Sequence, residues 1–429
     1  MFVSKNSHAD TLIQYLNESP TPYHAVDSAI RRLSKVGSSA LEERSSWSLQ
    51  PGQTAHLVRG NSSLIALRIP ENFDPTHPAP FHIAAAHTDS PGLRLKPRPV
   101  ESAHQYRQWG AEVYGGALYN SWLDRDLGVA GRVSTIGAGS EKMKIIRLEE
   151  HPMRIPQLAI HLDRKVNEEG LILNPQKHLV PVVGQAGGVS LESLIESAAG
   201  APFSDLSFDL CLYDKTPACY GGTADEFIYS GRLDNLAMCH AALTAFMEAD
   251  GGNAIQVIAL FDHEEVGSVS PHGAESNFLA TALERAGIAL GLNRETWLSS
   301  LSQSFLISAD MAHGIHPNYL EKHEPEHFPL LNRGPVLKSN AGLKYASDGF
   351  SAARFLGYAQ RAGVPVQRFL SRGDLGCGTT VGPGLSAQLG IPTVDVGTPM
   401  LSMHSAREMC GSEDHGRMIA VLKEFFKGE

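Results

Sequence analysis

A chain of 429 residues, 42% of them hydrophobic and 19% charged, has enough apolar material for a large core and is expected to form two domains. Its formal net charge of −10, with no block of Lys and Arg, excludes a nucleic-acid binder. The five cysteines (Cys211, Cys219, Cys239, Cys377 and Cys410) form no CxxC pair, which fits reduced thiols in a cytoplasmic protein. The opening "MFVSKNSHADTLIQYLNESP" lacks a signal-peptide core, and no stretch approaches the ~20 apolar residues of a membrane span.

In chain order, "SHADTLIQYLNESPTPYHAVDSAIRRLSKVG" predicts two helices split at Ser19-Pro20-Thr21-Pro22. Leu12, Ile13, Tyr15 and Leu16 give the first its apolar positions, Ala25, Ile30 and Leu33 the second, and Gly37 closes it. "HLVRG" and "SLIALRIP" read as short strands, and "FHIAAAHTDSPG" as an apolar strand that stops abruptly in polar residues. From about Pro91 to about Thr223 the texture changes: β-like pieces ("AEVYGGAL", "GVAGRVST", "MKIIRLEE", "LSFDLCLYD") alternate with Gly, Pro and Asn turns, and helical periodicity is scarce. Helix and strand then alternate again. "LDNLAMCHAALTAFMEAD", "NFLATALERAGIAL", "GFSAARFLGYAQRAG" and "EDHGRMIAVLKEFFKG" read as helices, and "NAIQVIALFDHEE", "QSFLISAD", "VPVQRFL" and "PTVDVG" end in or form strands. The expected fold is a layered α/β domain over 1–90 and 226–429, interrupted by an inserted β-rich domain over 91–225.

The apolar segments share one property: they run out into potential metal ligands. "FHIAAAH" ends at His87 with Asp89 behind it, "IQVIALFDH" at Glu264 and Glu265, and "SFLISAD" at Asp310, with His313 and His316 following. "VGTPMLSMHS" reaches His404, and "GRLDN" offers Asp234 at a helix start. Singly, each is an ordinary turn or capping residue. Together, beyond the carboxyl ends of strands in an α/β sheet, they sit where such folds bind ligands. Crowded there, carboxylates need a cation between them. Two divalent ions fit: His87, Asp234, Glu265, Asp310 and His404 suffice as ligands if one carboxylate bridges, and Glu264 is left over as a general base. "HEEVG" is no HExxH site, because Gly267 occupies the second histidine position, and "GDLGCGTTVGPG" lacks the Lys of a phosphate loop. By itself that segment reads as a turn with close backbone approach, and as a loop lining the site only by the family resemblance given below; Cys377 reads as a buried or site-lining thiol.

"SPTPYHAV", "AAHTDSPGLRLKP", "GRLDNL", "DHEEVGS", "SADMAHGIHPNYLEKHEPEH", "GPVLK", "CGTTVGP" and "MHSAREM" together resemble the aspartyl aminopeptidase family of dinuclear zinc peptidases, in the family's order from near Ser19 to the C-terminus. The resemblance implies removal of one N-terminal residue, usually Asp or Glu, from peptides. It further implies an inserted dimerisation domain and a tetrahedral dodecamer built from dimers. Two Zn2+ per subunit are expected, with Mn2+ or Co2+ as alternatives: His87 and Asp310 on one, Glu265 and His404 on the other, Asp234 bridging. Asp89 would orient His87, Glu264 would be the base, and His161, His313, Lys338, Tyr345 and His316 would stand at the substrate. Two other readings compete: a dinuclear zinc deacylase acting on a small amide, and a catalytically silent shell-forming homologue. The silent one would be marked by loss of a ligand or of Glu264, and all six residues are present.

Overall fold

The computed structural model describes residues 7–100, 104–135 and 142–428. Its main element is a nine-stranded sheet in the order Ser39–Leu41, Thr54–Arg59, Ser63–Arg68, Ile255–Phe261, Phe81–His87, Phe305–Ala309, Thr393–Gly397, Val336–Lys338, Gln367–Phe369. The four central strands, from Ile255–Phe261 to Thr393–Gly397, run parallel, and every residue in them is buried. Burial on both faces explains their unbroken apolar runs. Side chains alternate between two cores. Ala84, Ala86, Ile258, Leu260 and Ile307 face helices Ser7–Glu18, Pro22–Leu33, Leu233–Glu248, Gly349–Arg361 and Ser412–Lys427. Ile83, Ala85, Val257, Ala259 and Leu306 face helices Phe278–Ala289 and Val381–Leu389. Helices on both faces of a mostly parallel sheet make the α/β layering expected from the alternating pattern.

A second, six-stranded antiparallel sheet takes all its strands from between Gly92 and Asp214, except that the isolated residues flanking them add one bridge, Arg154 to Val182. Helical content there is greater than the sequence texture suggests. Helix Leu191–Ala199, capped by Ser190 and closed by Gly200 (φ 77°), packs Leu191 and Ile195 into this sheet's core. A third sheet of five strands joins Cys219–Gly221 and Phe227–Ser230 to Glu408–Gly411, Pro399–Leu401 and Ala312–His313. It sets His313 and the His404 turn beside the carboxyl ends of the parallel strands. No helix among the described residues is long and apolar enough to cross a membrane.

Candidate metal centre

Parallel register puts Phe261 level with His87, and the next residues of neighbouring strands leave the sheet side by side. After Phe261 the chain turns at once. His263 takes a left-handed conformation (φ 67°), a single 3-10 turn spans Glu264–Val266, and Gly267 (φ 96°) ends it. This turn lifts two adjacent carboxylates out of the strand. Their backbones are held by a third: Asp89 accepts from Glu264 N–H at 3.2 Å through Oδ1 and from Glu265 N–H at 3.1 Å through Oδ2. Asp89 Oδ2 also accepts from the Tyr114 hydroxyl at 2.7 Å. His87 Nδ1 lies 3.1 Å from the Asp89 carbonyl and 3.4 Å from its carboxylate Oδ1. The carbonyl is the nearer acceptor, and the carboxylate oxygen adds a longer charged contact to the same nitrogen. Asp89 therefore meets His87 through both its carbonyl and its carboxylate, and holds the glutamate pair through its side chain.

Asp234 stands at the centre. Its Oδ1 is 3.4 Å from His87 Nε2, and its Oδ2 is 3.5 Å from His404 Nε2. Glu265 Oε2 is another 3.5 Å from His404 Nε2, and Glu264 Oε2 is 4.0 Å from His87 Nε2. Ligands held at 2.0–2.2 Å around a tetrahedral ion stand roughly 3.3–3.5 Å apart, so the three separations of 3.4–3.5 Å fit a metal between each pair, and the 4.0 Å from Glu264 to His87 does not. Asp234 Oδ1 and Glu265 Oε1 are buried and have no hydrogen-bond partner, which a buried carboxylate oxygen does not tolerate without a cation. His87, Asp234 and Glu265 also offer ligand atoms within 4.8 Å of one another. The residues present fit the zinc that the donor set implies.

Electrostatics agree. Burial, with the charges of Asp310, Asp89 and Asp234 added, pushes the Glu264 carboxyl up to about 7 against the pull of His87. Burial likewise lifts Asp310 to about 6, although Lys338 draws it down. His87 goes up despite its burial, because Asp234, Asp89 and Glu264 stabilise its cation. Burial thus makes Glu264, Glu265 and Asp310 resist ionisation in the absence of added positive charge, whereas the imidazoles of His404 and His87 hold Asp234, and His87 holds Asp89, below the usual carboxylate range despite their burial.

One cavity of about 410 Å³ is lined by His87, Asp234, Glu264, Glu265, Asp310 and His404 together with His313, Lys338 and Tyr345. Lys338 is no solvated loop lysine. It ends strand Val336–Lys338, is 2% exposed, donates to the Met311 carbonyl at 3.0 Å, and lies 3.8 Å from Asp310 Oδ1. Its ammonium sits 5.2 Å from the Tyr345 ring centroid. His316 lines an adjoining cavity of about 300 Å³, which shares His313 and Tyr345 with the first and includes Cys377. His161 is not brought to either cavity. It lies exposed in a turn of the 91–225 segment between exposed Ile160 and Leu162.

Sequence reasoning did not single out Glu408. This residue is 3% exposed, and its two carboxylate oxygens accept from the backbone N–H groups of two site residues, Asp234 at 3.2 Å and His404 at 2.7 Å. It lies inside "MHSAREM", but only the pairing of strand Glu408–Gly411 with Phe227–Ser230 shows that it reaches Asp234. Tyr114 and Gly116 were also unmarked; the Gly116 carbonyl lies 3.1 Å from His404 Nδ1 and fixes that ring.

Comparison with known proteins gives a consistent result. Residues 15–426 match the family described as aminopeptidase I zinc metalloprotease (M18). The chain is 43% identical to a probable M18 family aminopeptidase 2 of Streptomyces avermitilis over 98% of both chains. It is 44% identical to a protein of the same name in Mycobacterium leprae, over 98% of this chain and 99% of that one. Among solved structures, the complex of Ape4 and Nbr1 contains a chain that superposes with a TM-score of 0.94 at 38% identity, covering 100% of this chain and 88% of that one. The S. cerevisiae mApe1 dodecamer superposes with a TM-score of 0.83 at 27% identity, covering 98% and 96%.

Proposed function

The chain belongs to the M18 family of zinc aminopeptidases, and from that premise we propose that it removes single N-terminal Asp or Glu residues from peptides with two ions in the cavity around Asp234. The observation that carries this reading is the bridging geometry of Asp234, whose two oxygens face two different imidazoles at 3.4 and 3.5 Å. In it, His87 and Asp310 would hold one ion, Glu265 and His404 the other, and Asp234 both. Bound there, zinc supplies Lewis acidity toward the scissile carbonyl and a water acidic enough to attack near neutral pH. Glu264 is the general base: it takes the proton of the attacking water and passes it to the departing amine. Its position supports the role, because its backbone is fixed on Asp89 while its carboxylate remains beside His87.

Specificity for an acidic first residue requires local positive charge on a chain of net charge −10. Lys338 lines the cavity and is the residue we assign to it, with His313, Tyr345 and His316 along the substrate path. His161 lies outside its own cavity, so its substrate role requires a second copy of the chain, and the exposed apolar residues on either side of it suit such a contact. A dodecamer built from dimers through the 91–225 segment follows, in keeping with the dodecamer formed by mApe1. We place the protein in the cytoplasm, since all five cysteines are free.

The test is metal analysis combined with a panel of aminoacyl anilides and acylated amino acids. Hydrolysis of Asp and Glu anilides by protein carrying two ions, abolished by chelation, is expected. Turnover of acylated amino acids alone would establish the deacylase instead, and a chelator-insensitive rate would end the two-metal reading.

A further inference from the structure

The turn that carries Glu264 and Glu265 is flanked by a second set of ligand-type side chains that do not line the catalytic cavity. Asp262, His263 and His272 each place one ligand atom within 4.8 Å of the other two. Among the described residues, the only other trio so placed is His87, Asp234 and Glu265, the heart of the zinc centre. None of the three lines the cavity of the catalytic residues.

The three are held in place by other groups. Ser63 Oγ accepts from Asp262 N–H at 2.9 Å and donates to the His272 carbonyl at 2.8 Å, so one hydroxyl clamps both ends of the cluster. Ser270 Oγ lies 2.7 Å from His263 Nδ1 and accepts from His272 N–H at 3.2 Å. That contact occupies the Nδ1 edge of His263 and leaves Nε2 pointing at Asp262 Oδ2, 3.3 Å away. The His263 and His272 rings stack with centroids 5.6 Å apart. His272 also presses against Gly60, where any Cβ would come 2.3 Å from its Nε2, so only glycine admits the ring in this position.

Asp262 supplies the independent sign of a ligand. It is 1% exposed; its Oδ1 accepts from His263 N–H at 2.8 Å, while Oδ2 has no hydrogen-bond partner. An unpaired carboxylate oxygen directed at an imidazole nitrogen is costly to bury, and a cation is the guest that resolves it. Of the nearby guanidinium groups, Arg132 pairs with Asp209 at 2.6 Å and Arg59 with Glu43 at 2.5 Å, while Arg94, whose charge draws the Asp262 carboxyl down, lies over the Tyr114 ring with its Nε unpaired.

We propose that Asp262, His263 and His272 form an additional cation site, separate from the catalytic cavity, which takes a transition ion with affinity for imidazole, such as Zn2+, Ni2+ or Cu2+. Two imidazoles and one carboxylate select such ions over Mg2+ or Ca2+, and leave open positions for water. An ion there would cross-link the two ends of the loop Asp262–His272, which begins two residues before the general base. The site stands on its own geometry and does not rest on the proposed function.

The experiment compares wild type with His272→Ala after dialysis of both against the same buffered free Zn2+, counting metal per chain by mass spectrometry. The expected result is one ion fewer in the variant. This difference is independent of how many ions the catalytic cavity holds, so failure of the two-metal reading changes both totals and leaves the difference intact. Equal totals overturn the proposal. Should His272→Ala not fold, zinc-edge anomalous scattering from wild-type crystals decides. A peak bonded to the three side chains supports the site, and density showing water alone among them overturns it.

Discussion

Changing Glu264 to Gln and, separately, Glu265 to Gln separates base from ligand without disturbing the turn. Both residues are anchored through backbone N–H groups on Asp89, at 3.2 and 3.1 Å, and these bonds survive either side-chain change. What differs is where the carboxylates point. Glu265 Oε2 is 3.5 Å from His404 Nε2 with Oε1 buried and unpaired, whereas Glu264 reaches only to 4.0 Å from His87. Glu264→Gln therefore should retain full metal while kcat falls by about 10²–10⁴, the range for loss of a general base. That corresponds to roughly 2.7–5.4 kcal/mol of barrier at about 1.36 kcal/mol per tenfold. Glu265→Gln removes a unit charge beside an ion. With an effective dielectric near 20, unit charges about 4 Å apart interact by roughly 4 kcal/mol, so metal affinity should drop on the order of a thousandfold. Metal content by mass spectrometry and kcat on an aspartyl anilide, measured on the same preparations, read both effects. Equal metal loss in the two variants, or full metal in Glu265→Gln alone, would refute the assignment.

Four further outcomes are expected. Lys338→Met should lower kcat/KM on Asp and Glu substrates by roughly 10–150-fold, the worth of a hydrogen bond to a charged group, and change Ala and Leu substrates far less; a uniform loss across the panel removes Lys338 from the specificity pocket. Glu408→Ala strips an acceptor from the amides of Asp234 and His404, so zinc affinity should weaken by about 10–100-fold, read by competition with a chelating dye; unchanged affinity would make Glu408 purely structural. Acid should destabilise the fold through His415, pushed down to about 3 by burial with His8 adding to the effect: the unfolded chain protonates first, so stability is complete above pH ~6.5 and falls by about 1.4 kcal/mol per unit below it, a slope that His415→Asn should flatten in urea melts. Light scattering should give a mass near twelve times 46.3 kDa, and Leu162→Glu should reduce the assembly while leaving metal content intact; a wild-type monomer with full activity would sink the shell.

The parallel strands were legible because burial on both faces writes them as unbroken apolar runs, and a polar residue ending such a run has few places to go. His87, Glu264, Glu265 and Asp310 were found by that rule. Asp234 and His404 were harder, since one opens helix Leu233–Glu248 and the other follows strand Pro399–Leu401 in a different sheet. Of the helices that were missed, which include Arg294–Gln303, two escaped for opposite reasons. Leu191–Ala199 carries a cap at Ser190 and a closing Gly200, signals submerged in a β-rich stretch. Val381–Leu389 begins with Gly382, Pro383 and Gly384, residues that read as a turn, yet Thr380 caps it and proline is tolerated in a first turn. The contacts of Glu408 and Tyr114 could not be read at all, because each depends on strand pairing between distant segments.

Those supporting contacts alter how the 91–225 segment is best understood. On sequence it contributes no metal ligand, and an interface role is the natural inference. In the structure it also braces the metal centre: Tyr114 holds Asp89, which holds the glutamate turn. On the other side, the Gly116 carbonyl meets His404 Nδ1, and Leu118 N–H donates to the His404 carbonyl at 3.0 Å. Removing the segment would therefore loosen His404 and Asp89 even in a chain that never assembled, and loss of activity would say nothing about the shell. A charge placed on the exposed loop at Leu162 acts differently, because that residue is 75% exposed and lines neither cavity. It can break a contact between copies while Tyr114, Gly116 and Leu118 keep their bonds. Any activity then lost with metal retained is activity that depended on a neighbouring copy, and His161, exposed beside Leu162, is the residue we propose supplies it.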